Sequence, residues 1–316
     1  MKLRRAACIA VVTAGAGFAL PSAAFDIDYA ADRAPALAAC DADWHRGRRA
    51  EAASCYSSLL VAESDPRIRA EAAWALGNVQ SANDYFQQAF DTYPDDPSLR
   101  TRWGKLFSVT HQDSEAVKLY QEALAIDPSY VPAILGLTEI AAERFEGQAR
   151  EWVDEALALD PDSIHARLLL AGMELEVGNL DAADEALDEA LALAEENGVA
   201  PLEIFALKAS ADLLRGVFES PWIDRALEYN PSYGRAYSIP AYYFVITRRY
   251  REAIDFYQRA VAIQPDLYEA HAELGVNLLR ENRVDEAQRH LAIAYGGDPY
   301  SARTVNTLRL IDSFDN

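Results

Sequence analysis

The stretch Tyr268–Ser301, YEAHAELGVNLLRENRVDEAQRHLAIAYGGDPYS, determines the fold of this chain. Its pattern predicts two short helices, joined by a turn at residues 282–283 and ended by Pro299. Gly275 in the first helix and Ala287 in the second have little or no side chain. Two antiparallel helices can therefore approach closely where they cross.

The same stretch carries an apolar stripe that one pair of helices is too small to bury. Leu274 and Leu278 lie on the first helix, and Leu291 and Tyr295 are expected to continue the stripe on the second. An apolar stripe of this width needs a partner surface. The unit therefore requires neighbours of the same kind.

Similar units occur along most of the chain. Counting back about 34 residues at a time from Ala287 reaches small residues in the same phase, several of them followed by an aromatic residue and a proline. The alanines that head the units are Ala52, Ala82, Ala116, Ala149, Ala183, Ala226, Ala253 and Ala287.

This pattern resembles the tetratricopeptide repeat, a helical hairpin with a period of 34 residues. The resemblance implies an all-α fold, a right-handed α-solenoid of about eight hairpins over residues 33–301. Residues 302–316 would add a C-terminal capping helix or form a truncated linker. In a solenoid each repeat contacts its neighbours, so the chain is one array and not two ordinary domains. The repeat at about 201–231 is shortened, and we expect the solenoid to bend there.

The N-terminus has the pattern of a secretory signal over residues 1–24. Basic residues precede an apolar run, and an A-x-A-like site predicts cleavage after Ala24, which leaves an extended segment at 25–32. An uncleaved anchor is the alternative, whereas a lipid attached at Cys40 is disfavoured because polar residues separate Cys40 from the apolar run. No later run is long enough to span a membrane. These features predict an exported protein, periplasmic or associated with the cell envelope.

If the chain is exported, the two cysteines outside the predicted signal are expected to meet an oxidising environment. Cys40 and Cys55 fall on opposite helices of the first hairpin, in a compartment that would favour oxidation. A disulfide between them would staple the least regular repeat. Two buried free thiols are the alternative.

The chain is strongly acidic, with a formal net charge of −21. Such a surface repels nucleic acids and anionic lipids, so we predict no nucleic-acid partner. The charge does not by itself identify a ligand, because acidity also serves solubility.

Four residues are candidates for a binding groove on the concave face. Trp74 is placed on the open side of its helix, although packing on the neighbouring repeat is an equal alternative. Arg235, Tyr237 and Tyr242 lie in a segment that Pro240 is expected to kink, and the aromatic side chains would suit an extended peptide.

That aromatic segment also has a plainer interpretation. Tyr243 and Phe244 would belong to the core, and only Tyr237 and Tyr242 would face outward. The sequence does not decide between a binding patch and this arrangement.

No catalytic motif is present. The chain lacks HExxH, GxSxG, GxxxxGK[ST] and GxGxxG, and its histidines stand singly in sequence, with His111 in a solvated turn. Nothing matches the carboxylate clamp of chaperone-binding repeat domains. The sequence therefore predicts neither an enzyme nor a metal or cofactor site.

Two segments resemble a more particular group. RWGKLFSVTHQDSEAVKLYQEAL at 102–124 and GGDPYSARTVNTLRLIDSFDN at 296–316 are similar to exported bacterial proteins that carry these repeats ahead of a peptidase MA-like zinc metallopeptidase domain. The chain ends where that domain would begin, so the resemblance implies no catalytic residue here.

Two main hypotheses follow. The first is a non-catalytic interaction scaffold of the bacterial envelope, which binds a protein or peptide on its concave face. The second is the partner- or substrate-positioning region of an exported metallopeptidase whose catalytic domain is missing or on another chain. A homo-oligomer formed through the last helix is a third possibility.

Overall fold

The computed structural model describes residues 33–144 and 146–315, with side chains as far as Ile311. A short 3₁₀ helix, Pro35–Leu37, is followed by seventeen α-helices, and no strand occurs in the described ranges. The all-α prediction is confirmed. The predicted signal and the extended segment lie outside the described residues.

The helices differ in length but follow one another with short turns. They are α1 Ala38–His45, α2 Arg49–Ala62, α3 Pro66–Ala75, α4 Val79–Thr92, α5 Pro97–Val109, α6 Asp113–Ile126, α7 Val131–Glu143, α8 Gln148–Leu159, α9 Ile164–Glu176, α10 Leu180–Asn197, α11 Leu202–Leu214, α12 Pro221–Tyr229, α13 Arg235–Ile246, α14 Tyr250–Ile263, α15 Tyr268–Arg280, α16 Val284–Gly297 and α17 Ala302–Asp315.

The first sixteen helices pair as eight hairpins, and α17 packs on α15 and α16 as a cap. The eight head alanines all lie in the even-numbered helices, and each is at most 5% exposed. They lie in the interface between the two helices of each hairpin, as the repeat pattern requires.

The crossing in the last hairpin is as close as the small residues predict. A Cβ atom on Gly275 would lie 2.5 Å from Leu291 Cγ and 3.1 Å from the Ala287 carbonyl oxygen. Asn282 forms the turn with a left-handed backbone, φ 59°. The placement of Tyr295 in the stripe was wrong. It is 47% exposed, because one residue along an α-helix rotates the side chain by about 100° from the buried Ala294.

The odd-numbered helices form the inner layer of a curved stack. Contacts join α5 to α7, α7 to α9, α9 to α11 and α11 to α13, and the even-numbered helices do not pack on one another to a comparable extent. A stack whose odd-numbered helices touch while its even-numbered helices spread apart must be concave on the odd-numbered side. We call this surface the inner face.

The sixth hairpin, within residues 201–231, departs from the others. Its outer helix α12 has nine residues, and its inner helix α11 has eleven of thirteen residues buried. Helices α9 and α13 meet directly across α11. The inner face is therefore closed over at this repeat. Pro240 does not interrupt α13, which runs through it from Arg235 to Ile246.

A substitution at the third hairpin tests the close crossing. A Cβ atom on Gly104 would lie 2.8 Å from Tyr120 Cε1, whereas one on Gly296, also in a helix, would meet nothing within 4 Å. Gly104→Leu should lower the free energy of unfolding by ~1–3 kcal/mol through overpacking, measured by urea denaturation. Gly296→Leu should have a much smaller effect, and equal effects of the two changes would contradict the crossing.

Candidate functional site

Charged side chains link neighbouring inner helices near the start of the array. The Glu71 carboxylate on α3 accepts hydrogen bonds from Arg102 on α5, at 2.6 and 2.9 Å, and from Arg33, at 2.5 Å. Glu71 is 6% exposed. A buried carboxylate is tolerated when hydrogen-bonded cations compensate its lost hydration, and here two guanidinium groups do so.

The next link has the same design. Lys105 Nζ on α5 donates to Glu139 Oε2 on α7 at 2.8 Å, and His165 Nε2 on α9 lies 2.8 Å from Glu139 Oε1. One carboxylate thus bridges three consecutive inner helices. Lys105 and Glu139 are 34 residues apart, so they stand at equivalent positions of successive repeats.

The two bridging carboxylates are held in their ionised form. Burial raises the pKa of each, but the neighbouring cations outweigh it. Arg102 and Arg33 lower the pKa of Glu71 to about 2, and Lys105 with His165 lowers that of Glu139 to about 2. Both groups therefore favour the folded chain at neutral pH.

Polar pairs continue along the inner face beyond α9. Tyr242 Oη on α13 donates to Glu176 Oε1 on α9 at 2.5 Å. Two ion pairs complete the series, Glu203 with Arg235 at 3.7 Å and Glu273 with Arg303 at 2.7 Å. We call this series the inner ladder: Arg33, Glu71, Arg102, Lys105, Glu139, His165, Glu176, Tyr242, Glu203, Arg235, Glu273 and Arg303.

The structure does not bring the four predicted groove residues together. Trp74 is 1% exposed and packs in the core of the first repeats, with the Arg102 guanidinium 5.1 Å from its ring centroid. Of the two placements considered for Trp74, the open side is wrong, and packing on the neighbouring repeat agrees with the structure. Arg235 is 7% exposed and lies beside Glu203 on α11.

The two tyrosines of α13 point to different sides. The Tyr237 ring packs edge-on against Phe256 of α14, with centroids 5.7 Å apart. The Tyr242 ring instead reaches α9 through Glu176. Tyr243 and Phe244 are buried, which agrees with the plainer of the two sequence interpretations. Of these two tyrosines, Tyr242 alone belongs to the inner ladder.

Sequence reasoning missed the carboxylates of the ladder, although a signal was available. Glu71, Lys105 and Glu139 are spaced by one repeat period each. Charged residues recurring at one phase of a solenoid lie on one face and within reach of each other. Considering distinctive residues one at a time, as was done for the aromatic residues, does not reveal such a series.

The cysteines of the first hairpin form a disulfide in the structure. Cys40 on α1 and Cys55 on α2 have Cα atoms 5.4 Å apart. The bridge joins the two helices on either side of their connecting turn, where the stack begins.

Two histidines that stand singly in sequence meet in space. His271 Nδ1 on α15 lies 2.9 Å from His290 Nδ1 on α16, and His271 Nε2 lies 3.2 Å from the Pro265 carbonyl oxygen. Within the described residues, no group of three or more His, Cys, Asp or Glu side chains is arranged to hold a metal ion. Among the described helices, none has the length and apolar character needed to cross a bilayer.

Comparison with known proteins agrees with the hairpin architecture. A tetratricopeptide-repeat family model matches residues 37–97, 69–131 and 223–268, which together make up less than half of the chain. The chain therefore contains tetratricopeptide repeats, as its sequence pattern predicted. The family match does not bear on the resemblance to repeats that precede a metallopeptidase domain, which stays a prediction.

A curated human protein is also similar. Protein O-mannosyl-transferase TMTC1 of Homo sapiens is 25% identical over 224 residues, which is 69% of this chain and 24% of that protein. The chain thus spans about a quarter of the length of this relative.

A solved structure shares the fold. The APC/C hetero-tetramer Cut9-Hcn1 superposes with a TM-score of 0.55 at 16% identity, over 87% of this chain and 55% of that chain. A tetratricopeptide repeat protein from Parabacteroides merdae has a TM-score of 0.49 at 13% identity, over 77% and 97% of the two chains.

The pH dependence of stability tests the ladder. The folded-state pKa of Glu139 lies below its ordinary value of 4.5. Its contribution to the stability of the folded chain is therefore present above pH 4.5 and is lost as pH falls toward 2. Glu139→Gln should lower the free energy of unfolding by on the order of 3 kcal/mol at pH 6. This difference between the variant and wild type should be smaller at pH 3. Urea unfolding at each pH measures it. The control is Glu155→Gln at an exposed position of α8. If its difference from wild type in the free energy of unfolding fell equally between pH 6 and pH 3, this account would be contradicted.

Proposed function

We propose that the protein is a non-catalytic interaction scaffold that binds an extended segment of another protein along its inner face. The inner ladder carries this proposal, because it presents hydrogen-bonding and charged groups in series along a concave surface. Concave surfaces of stacked helical repeats are suited to long, narrow ligands. Charged groups in series also favour selection of one partner and one register over others.

The first half of the array is the stretch we assign to this binding. Helices α5, α7 and α9 carry Lys105, Glu139 and His165, whose side chains are partly accessible. On α3, Glu71 is buried beneath its arginine partners. Beyond α9 the buried α11 and the Tyr242–Glu176 hydrogen bond close the inner face. A bound segment would therefore run along α3 to α9 and end near Glu176.

The O-mannosyl-transferase activity named for the human relative is not extended to this chain. The match covers 24% of that protein and concerns repeats of the kind described here. A scaffold role needs no group-transfer site, and the proposal rests on the ladder alone.

A display experiment tests the binding proposal. A random-peptide library selected on the full chain should yield sequences whose affinity falls tenfold or more, about 1.4 kcal/mol, when Lys105→Met removes the charge of a ladder cation. Lys118→Met on the outer helix α6, where the side chain is 76% exposed, is the matched control and should bind as wild type. Failure to enrich any sequence, or equal binding by both variants, would overturn the proposal.

We also propose that the chain acts outside the cytoplasm, in the cell envelope. The signal-like pattern at residues 1–24 supports this, and the Cys40–Cys55 bridge is the kind of bond that persists in oxidising compartments. The interaction partner would then be another envelope protein.

Thiol mapping of the exported protein tests the location. Mass spectrometry without reduction should find Cys40 and Cys55 linked, and reduction should lower the free energy of unfolding by ~3 kcal/mol for a loop of this length. The variant Cys40→Ser/Cys55→Ser should reproduce that loss and then be insensitive to reductant. Two free thiols in protein recovered from the envelope would contradict the proposal.

A further inference from the structure

Two turns of the array touch parts of the chain that are far away in sequence. Gly47, in the turn between α1 and α2, approaches the linker between α12 and α13. A Cβ atom on Gly47 would overlap Asn230 Oδ1 and lie 2.8 Å from Ser232 Oγ. Next to it, the Arg46 guanidinium lies 4.9 Å from the Tyr229 ring centroid.

The second contact has the same form. His111 lies in the turn between α5 and α6, and its Nε2 is 2.7 Å from Oδ2 of Asp298, in the linker between α16 and α17. His111 is exposed, as predicted, and it is also paired. It lies 187 residues from Asp298, and Gly47 lies a similar number of residues from Asn230. In both cases the turn inside an early hairpin meets the linker after a late one.

A constant offset means that one edge of the early repeats runs along the opposite edge of the late repeats. The stack therefore completes a superhelical turn and touches itself, about five and a half repeats of 34 residues further on. We call the two contacts, at Gly47–Asn230 and at His111–Asp298, the seam. The seam lies outside the inner ladder and is made by no residue of it.

We propose that the seam is a reversible latch that closes the superhelix and restricts entry to the inner face. The His111 and Asp298 side chains are 43% and 33% exposed, so their attraction is partly screened by solvent and salt. The latch can open without unfolding a hairpin, because each repeat is stabilised by its neighbours in the stack. This conformational step requires no ligand and stands independently of the proposed function.

Charges around the second contact set its pH response. His111 faces Asp298 and Glu269 from the late repeats, and Asp113 and Glu143 from the early ones. Arg144 pairs with Asp113 at 2.9 Å. The hydrogen bond to Asp298 raises the pKa of His111, so closure is fully favoured below the ordinary value of 6.5 and is lost as pH rises through the raised value.

A distance measurement across the seam tests the latch. Spin labels on genetically encoded keto amino acids at Glu51 of α2 and Asp224 of α12, both exposed, leave the native disulfide intact. Pulsed electron resonance on the full chain should give one short, narrow distance at pH 6. Gly47→Ala and His111→Ala should each lengthen and broaden the distribution.

The chain offers a matched control for each variant. Gly77 has φ 76°, close to the 74° of Gly47, but a Cβ atom there would meet nothing within 4 Å. Arg248 occupies the corresponding turn of the seventh hairpin with φ 62°, close to the 60° of His111. Gly77→Ala and Arg248→Ala therefore share the backbone conformation and not the seam, and should keep the wild-type distance.

Two results would overturn the latch. One is an unchanged distance in His111→Ala, which removes the pair without new strain and keeps the test valid if Gly47→Ala folds poorly. The other is a wild-type distance that stays constant from pH 6 to pH 8.5. Lengthening in His111→Ala and with rising pH, without change in the helical circular dichroism signal, would support it.

Discussion

The close crossing of two helices at small residues is the constraint on which the whole array depends. At Gly104 and Gly275 the partner side chain lies where a Cβ atom would have to be, and the head alanine of every hairpin is buried. Closely packed hairpins bring successive inner helices into contact. The carboxylates of one inner helix then reach the cations of the next, so the ladder is a consequence of the crossing distance.

The ladder also explains how a chain with a net charge of −21 can bury carboxylates. An isolated buried charge is costly. Removing one partner of a buried ion pair therefore destabilises a protein more than replacing the whole pair by apolar residues. Glu71 and Glu139 avoid this cost because each contacts two cationic or protonatable side chains from separate segments of the chain. Such bridges favour one relative placement of the inner helices over others.

The sequence was sufficient for features that repeat, and insufficient for features that depend on a single side-chain direction. The alanine positions, the Asn282 turn and the closeness of Cys40 to Cys55 follow from the period and from hairpin geometry. Tyr295 was misplaced and Trp74 was left undecided between groove and core, because a shift of one residue on a helix moves a side chain from solvent to core. The His111–Asp298 contact depends on twist accumulated over 187 residues, which no local pattern encodes.

The seam fixes the number of repeats that lie between the segments it joins. Repeat arrays ordinarily change by duplication or loss of whole units, since each unit interacts with adjacent ones. Here, one unit gained or lost between residues 48 and 229 would bring a different linker opposite Gly47, in place of the one that presents Asn230. The number of repeats between the joined segments is therefore coupled to the curvature of the solenoid.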